Sequence, residues 1–548
     1  MSRNLAIVAL LAAILAVPFL LRPEGPGAGP AQDTLVIVTP HNGAIRREFQ
    51  TGFAGWYRAR TGRTVAIDWR MLGGSSEIAR YLAGAYVDSF RNLWTGRLGR
   101  AWSGALQAGF QEGGLPDGAP AVVRSAREEF LKSGVGCGID IFFGGGVFDF
   151  ERQARAGTLV DSGIRRLHPD WFTEGTIPLM QGGGEYRDPG DRWIGCVLSC
   201  YGIIYNRDAL KRLGMARPPG SWTDLCDPRY LGKLALADPT KSGSVAEAFE
   251  NIVQQRMRMR LASVQAGGPG LPRQAAPGGT GTEDSEARAV REGWTDGLRL
   301  LQLVGANARY FTDSSQKVPI DVANGDCAAG LCIDFYGREQ DEALRRRGDP
   351  GRVGFVVPAG GSGYSVDPVG LLRGAPHPAV AAAFIEYALS MDGQKLWDFR
   401  AGVPGGPGDT ALRRLPVRRD FYAHREWSAS RSDPGEDPYE QGAGIEYHPE
   451  WTASLFRELA FIVRVMCEDT HEELAGAWKA VNDAPEPDRS RALEVMQDMS
   501  SVDYPNARGR IRAALDSRDK ADEVRLARDL AAAFRLQYAR AGAVARGN

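Results

Sequence analysis

Between Asp238 and Ala248 the chain reads DPTKSGSVAEA, a cluster of hydroxyls with one lysine and one glycine just ahead of a helix-forming run. The apolar stretch Leu234-Ala235-Leu236-Ala237 leads into it, and Val245 to Phe249 opens the helix. That order suits an anion. A helix N-terminus leaves its first backbone N–H groups unpaired and carries about half a positive charge. Thr240, Ser242 and Ser244 add hydroxyl donors, Gly243 lets the backbone approach, and Lys241 brings a full charge. The same residues also make an ordinary helix cap. Two other loops carry related chemistry, Thr39-Pro40-His41-Asn42-Gly43 and Gly73-Gly74-Ser75-Ser76, and Gly144-Gly145-Gly146 follows a third apolar run.

The elements that position these loops are legible in the apolar spacing. Leu35 to Val38 reads as a strand, and Ile45, Phe49, Phe53, Trp56 and Tyr57 recur at helical spacing up to the stop at Thr61-Gly62. Val65 to Trp69 is a second strand, Glu77 to Ala85 a helix, and Ile139 to Phe143 a third strand. This alternation indicates open α/β sheets, in which loops after the strands' carboxyl ends form the ligand crevice. Residues 86–134 interrupt the rhythm and read as an insertion with a helix or two. Trp193 to Asn206 reads as one long extended segment, and Leu331 to Gly337 as a strand ending in polar residues. Residues 267–284, rich in Gly and Pro, read as a flexible excursion. Helical spacing returns after Trp451 and continues to Ala541.

With 66 Lys plus Arg against 67 Asp plus Glu, the chain has no global field for nucleic acid or an acidic membrane. At 548 residues, with 43% apolar residues, it has room for several folded domains. Arg3 followed by the apolar run Leu5 to Leu21 reads as an export signal or, uncleaved, as a membrane anchor. Seven cysteines fit an oxidising compartment, with Cys327 and Cys332 able to close a small loop. Cys196 and Cys200 lie four apart on an extended segment, roughly 13 Å from each other, and do not pair there. The six histidines are scattered and make no zinc-type spacing. There is no GxSxG, P-loop or dinucleotide fingerprint, so the chain is read as a non-enzyme that needs no cofactor. His471, with Glu468, Glu472 and Glu473 beside it, reads as a solvated acidic helix face.

The phrases LVIVTPHN, GGSSEIARYL, DIFFGGGVFDFERQARAGTLVD, YGIIYNRDALKRLG, SWTDLCDPRYLGKLALADPTKSGS, CIDFYG and VDPVGLLRGAPHPAVAAAFIEYALS occur in this order between about 34 and 400. In that order the chain resembles the extracellular solute-binding proteins of ABC transporters, in the branch with ferric-ion and phosphonate binders. The resemblance implies a type II periplasmic-binding fold, with two α/β lobes closing on a ligand about a hinge. Lobe one then covers 32–194 and 360–401, lobe two 195–359, and 402–548 is a mostly helical extension packed on lobe one. Residues 1–31 are the signal or anchor. The resemblance places Thr39, His41, Asn42, Ser75, Ser76 and Gly145 on one wall of the cleft. Thr240, Ser242, Gly243, Ser244, Asp334 and Tyr336 then line the other. It implies a monomer that hands its solute to a membrane permease. The hydroxyl loops favour a phosphonate, phosphate ester or carboxylate. The alternatives are ferric ion, with His41, Asp334 and Tyr336 as ligands, and a membrane-tethered solute sensor.

Overall fold

Strands and helices alternate from the first described residues onward, and all strands but one short hairpin join one of two sheets. The computed structural model describes residues 31–266, 285–441 and 446–547. In chain order the first lobe contains β1 (Asp33–Val38), α1 (Gly43–Thr61), β2 (Val65–Arg70), α2 (Ser75–Arg91), α3 (Gly104–Gly109) and α4 (Ala121–Lys132). β3 (Ile141–Phe143), α5 (Val147–Ala156), β4 (Leu159–Val160) and the hairpin of β5 (Met180–Gln181) and β6 (Gly184–Glu185) follow. The chain then passes from β7 (Ile194–Ser199) to β8 (Tyr201–Asn206) and enters the second lobe. There it forms α6 (Arg207–Arg212), β9 (Leu234–Ala237), α7 (Gly243–Gln265), α8 (Ser285–Ala306), β10 (Ala308–Thr312), α9 (Lys317–Asn324), β11 (Ala329–Ile333), α10 (Asp334–Arg346) and β12 (Val353–Val356). β13 (Ser365–Leu372), α11 (Pro378–Leu389) and α12 (Met391–Asp398) return to the first lobe. The remainder holds β14 (Leu415–Pro416), α13 (Phe456–Val463), α14 (His471–Asp483), α15 (Asp488–Met496) and α16 (Lys520–Ala545).

The first sheet has the order β14-β7-β13-β3-β1-β2, and the second β10-β9-β11-β8-β12. In both, three parallel strands are followed by an antiparallel strand that comes from a crossover between lobes, β13 in the first and β8 in the second. This is the two-lobed type II architecture expected from the sequence. α1 shows how the pattern is realised. Asn42 caps it by accepting the Ile45 N–H at 3.0 Å, Ile45, Phe49, Phe53 and Tyr57 face inward, and Gly62 at φ 71° ends it in the left-handed region.

Three expectations change. The extended run 193–206 is two strands, because the chain leaves one sheet and joins the other at Cys200. Cys200 accepts the Asp334 N–H at 3.0 Å and donates its own N–H to Asp334 Oδ1 at 3.4 Å, which pins the switch point. The strand expected to reach Gly337 ends at Ile333, and Asp334 and Tyr336 stand in the first turn of α10. The extension also divides. Residues 402–437 lie on the first lobe, where Glu48 accepts the N–H groups of Gly408, Asp409 and Thr410 at 2.7–3.0 Å. Its helices turn instead to the second lobe: α13 and α14 pack on α7 and α8, and Gln302 of α8 donates to the Met496 carbonyl of α15 and the Tyr538 hydroxyl of α16. The reason is α8 itself, which buries Trp294, Leu298, Leu301, Gln302 and Val304 and so needs cover on more than one face.

All seven cysteines are free, so Cys327 and Cys332 do not close a loop. Cys332 is buried within β11. The Leu5–Leu21 signal or anchor and the 267–284 excursion lie outside the described residues. Among the described residues, no helix is long and apolar enough to cross a membrane.

Trp294 ties the extension to the second lobe, fully buried and donating Nε1–H to the Val502 carbonyl at 3.0 Å. Trp294→Ala is expected to cost about 3–5 kcal/mol, read from the urea unfolding midpoint. A midpoint within error of the parent would show that α8 and the extension are not mechanically joined.

Candidate functional site

Arg414 is the side chain on which the two lobes converge. It precedes β14 and is fully buried. Its guanidinium pairs with Asp367 of β13 at 2.8 Å, donates to His41 Nε2 at 3.1 Å, and reaches Ser199 Oγ at the end of β7. Trp397 and Phe335 stack against it, with ring centroids 5.3 and 4.2 Å from the guanidinium carbon. Phe335 belongs to α10 of the second lobe, so one cation touches both halves.

His41 is held by the same contact. Burial and the Arg414 charge push its imidazole well below the ordinary range, so the ring is neutral and Nε2 accepts. Gly144, at φ 85°, makes room for the ring, since a Cβ there would lie 2.2 Å from His41 Cε1. Thr39 Oγ1 donates to the Phe143 carbonyl at 2.6 Å and accepts the His41 N–H at 3.1 Å. Asn42, besides capping α1, reaches Glu339 of the second lobe at 3.4 Å.

The hydroxyl loops do meet. A Cβ on Gly74 would lie 2.7 Å from the Lys241 carbonyl oxygen, and one on Gly243 would lie 3.1 Å from Ser75 Oγ. The lobes are therefore in contact across Gly73–Ser76 and Lys241–Gly243. Gly145 abuts Ser75 on the same face. Much of the donor capacity there is already engaged. Ser76 donates to the buried Asp149 carboxylate at 3.1 Å, Thr240 bonds Asp238 Oδ1 through both N–H and hydroxyl at 2.7 Å, and Lys241 pairs with Asp313 at 2.6 Å. Ser242 caps α7 without a side-chain bond, and Ser244 lies in the first turn of that helix. Burial pushes Asp149 above the usual carboxylate range.

Asp334 and Tyr336 flank Phe335 in the first turn of α10. Asp334 is fully buried with Arg338 at 3.6 Å, and burial pushes both its carboxyl and the Tyr336 phenol upward. His41 contacts the Arg414 cation, whose charge also acts on Asp334 and Tyr336. Among the described residues, no group of three or more His, Cys, Asp or Glu could hold a metal ion. His471, expected on a solvated face, is part-buried, with Nε2 at 3.1 Å from the Ala308 carbonyl and its ring edge-on to Phe311.

Sequence reasoning missed one feature of the cleft. A cavity of about 200 Å³ lies beside the hinge. The first lobe supplies the α5 start at Gly146–Phe148, Glu151 and the β5–β6 hairpin, and the second supplies Glu247, Glu250 and Asn251 of α7. The crossover at Gly363–Ser365 forms its floor, and Tyr447 and Phe456 of the extension form its roof. The hairpin and roof are joined by Tyr447 N–H donating to the Gly182 carbonyl at 2.8 Å. Tyr447 and Thr452 both donate to Glu250 Oε1, at 2.8 and 2.6 Å. Burial pushes Glu247 up to about 7, with Glu250 and Asp367 adding repulsion. Burial likewise pushes Glu250 up to about 7, with Glu151 adding to it. A signal was present in AEAFEN, where two glutamates three apart share one face of an otherwise buried helix turn.

A family model, "Bacterial extracellular solute-binding protein", matches residues 176–416. A Haemophilus influenzae protein described as uncharacterized is 27% identical over 262 residues, 47% of this chain and 60% of its own length. The phosphoglycerate transport regulatory protein PgtC of Salmonella typhimurium is 25% identical over 203 residues, 37% of this chain and 40% of its own. The chain thus spans less than two thirds of either relative. Among solved structures, the periplasmic binding protein AfuA from Actinobacillus pleuropneumoniae, with fructose-6-phosphate bound, is 15% identical with TM-score 0.47, covering 82% of this chain and 98% of that one. Iron-bound HitA from Pseudomonas aeruginosa is 16% identical with TM-score 0.44, covering 79% and 99%.

Removing Arg414 leaves the half-buried Asp367 without its cation, so Arg414→Met is expected to cost about 3–5 kcal/mol, read as a lowered unfolding midpoint. A neutral effect would place the hinge charge elsewhere. A second expectation concerns pH. Glu247 and Glu250 sit at about 7 when folded and at about 4.3 when unfolded. Their protonated forms favour the folded state, so this contribution is full below the unfolded value and is lost as pH rises through the folded one. Relative to Glu247→Gln/Glu250→Gln, the parent Tm should therefore fall between about pH 5 and pH 8; a constant difference over that range would contradict the shifts.

Proposed function

We propose that this chain, which belongs over residues 176–416 to the bacterial extracellular solute-binding proteins, is the solute-capturing component of an ABC importer working outside the cytoplasmic membrane. The observation that carries this reading is the cavity whose walls come from both lobes and the crossover between them. A solute there touches both lobes only when they are closed, so binding shifts the hinge equilibrium by its differential affinity for the closed form. The closed form then presents one composite face to a membrane permease. Ligation of this kind needs no nucleophile or bound cofactor.

The likeness to PgtC, a phosphoglycerate transport regulatory protein by name, favours a second reading. Here the chain senses an anionic solute, gripped by Ser75, Ser76 and the 240–244 loop. Against the anion stands the buried Asp149 carboxylate beside Ser75 and Gly243. A ferric site at His41, Asp334 and Tyr336 meets a different obstacle, the Arg414 guanidinium on His41 Nε2, which raises the cost of adding a trivalent cation.

A thermal-shift screen of the exported chain against ammonium compounds, phosphate esters, carboxylates, sugars and ferric citrate tests the capture reading. One class is expected to raise the melting temperature by mass action. For a solute held in the cavity, Ser242→Ala leaves the shift intact, whereas an anion gripped at the α7 start loses it. A melting temperature unmoved by every class would overturn the capture function.

A further inference from the structure

The interlobe cavity is built for positive charge. Its lining includes Glu151, Glu185, Glu247 and Glu250, and no Lys, Arg or His. Glu151 has a cation of its own, Arg155 at 3.5 Å. Among the described residues, Glu185, Glu247 and Glu250 have no ion-pair partner. Arg192, the other cation close by, is engaged by Asp188 at 2.6 Å. Asp188 itself faces Glu185 and adds to the repulsion there. Asp367 does the same to Glu247, though Arg414 neutralises it. The starts of α5 and α7, at Gly146 and Gly243, each contribute about half a positive charge, together too little to balance three carboxyls.

Two independent features point to a ligand at this place. Tyr201 is 5% exposed and its hydroxyl has no hydrogen-bond partner. It lines the narrow recess that extends the cavity inward past Glu247, Asn251 and Ser365. A buried hydroxyl without a partner costs free energy unless something in the cavity satisfies it. The remaining walls are aromatic, with Phe148, Tyr186, Tyr364, Tyr447 and Phe456 around the space. Ring faces attract cations and exclude water around them.

We infer that the solute held between the lobes is a small organic cation, its ammonium group set among Glu185, Glu247 and Glu250 and its body against the aromatic walls. The inference rests on the capture reading above and names the class of solute. It departs from the anion expected at the hydroxyl loops, because the lining holds four carboxyls and no cationic side chain. The cation supplies the missing counter-charge and draws the carboxyls into their ionised form.

The test is titration calorimetry of the full chain at pH 6.5 with 1,4-diaminobutane, choline and, as anionic and neutral comparators, 3-phosphoglycerate and glucose. At least one ammonium compound is expected to bind saturably and release protons, seen by repeating the titration in buffers of different ionisation enthalpy. Glu247→Gln is expected to weaken it at least about tenfold, the scale of one lost charged hydrogen bond. Tyr201→Phe removes a hydroxyl with no native partner, so it folds as the parent does and serves as the second variant, with weaker binding expected. Saturable binding of 3-phosphoglycerate or glucose with no response to either amine overturns the cation and leaves the capture function standing. Amine binding unaffected by both variants also overturns it. No binding by any probe, together with no response in the broad thermal screen, overturns both.

Discussion

A guanidinium buried where two lobes meet constrains everything around it. Arg414 has no water to solvate it, so the surrounding groups must be acceptors, anions or ring faces. Asp367 supplies the anion, neutral His41 and Ser199 supply acceptors, and Trp397 and Phe335 supply the faces. Five residues from distant parts of the chain are thereby fixed in relation to one another. Phe335 comes from the second lobe and Arg414 from the segment after the first, so the extension is part of the hinge rather than an appendage.

Charge is sorted across the cleft. On one side, the cation of Arg414 is balanced within its own cluster. On the other, the carboxyls of α7 and the β5–β6 hairpin gather around open space without ion-pair partners among the described residues, and burial suppresses their acidity. The hydroxyl loops between these regions make the lobe-to-lobe contact. Gly74 matters there because a Cβ would meet the Lys241 carbonyl oxygen, and one on Gly243 would press on Asp149 and Ser75 of the opposing lobe. The extension closes the arrangement, since Tyr447 both roofs the cavity and hydrogen-bonds Glu250.

Much of this was legible in local sequence. The helical spacing from Ile45 to Tyr57, the strands around Val36, Ile67 and Phe142, and the loops at 39–43, 73–76 and 240–244 all fall where the pattern of residues puts them. Local pattern reports which face of an element seeks burial, and those faces did find the two sheets. The partner of a buried polar group is not a local property. Ser76 and Thr240 look like free donors in sequence, yet Asp149 and Asp238 engage them. The two arginines of ALRRLPV look alike, yet Arg413 pairs with Asp433 at 2.6 Å while Arg414 is the hinge cation.

By itself the sequence pattern determined the alternating α/β elements, the order of the loops and the presence of a helical extension, while the two lobes followed only from the family resemblance. Periodicity and turn chemistry act over a few residues and survive without knowledge of the fold. Only the tertiary structure decided where the chain changes sheets at Cys200, which lobe the extension helices cover, and which charges stand uncompensated. Those outcomes depend on pairs separated by hundreds of residues, such as His41 with Arg414, 373 apart. Electrostatic compensation is set by distances of a few ångströms in space. From DPTKSGS alone the hydroxyls and lysine suggest an anion, while the carboxyls that face the cavity lie elsewhere in the chain.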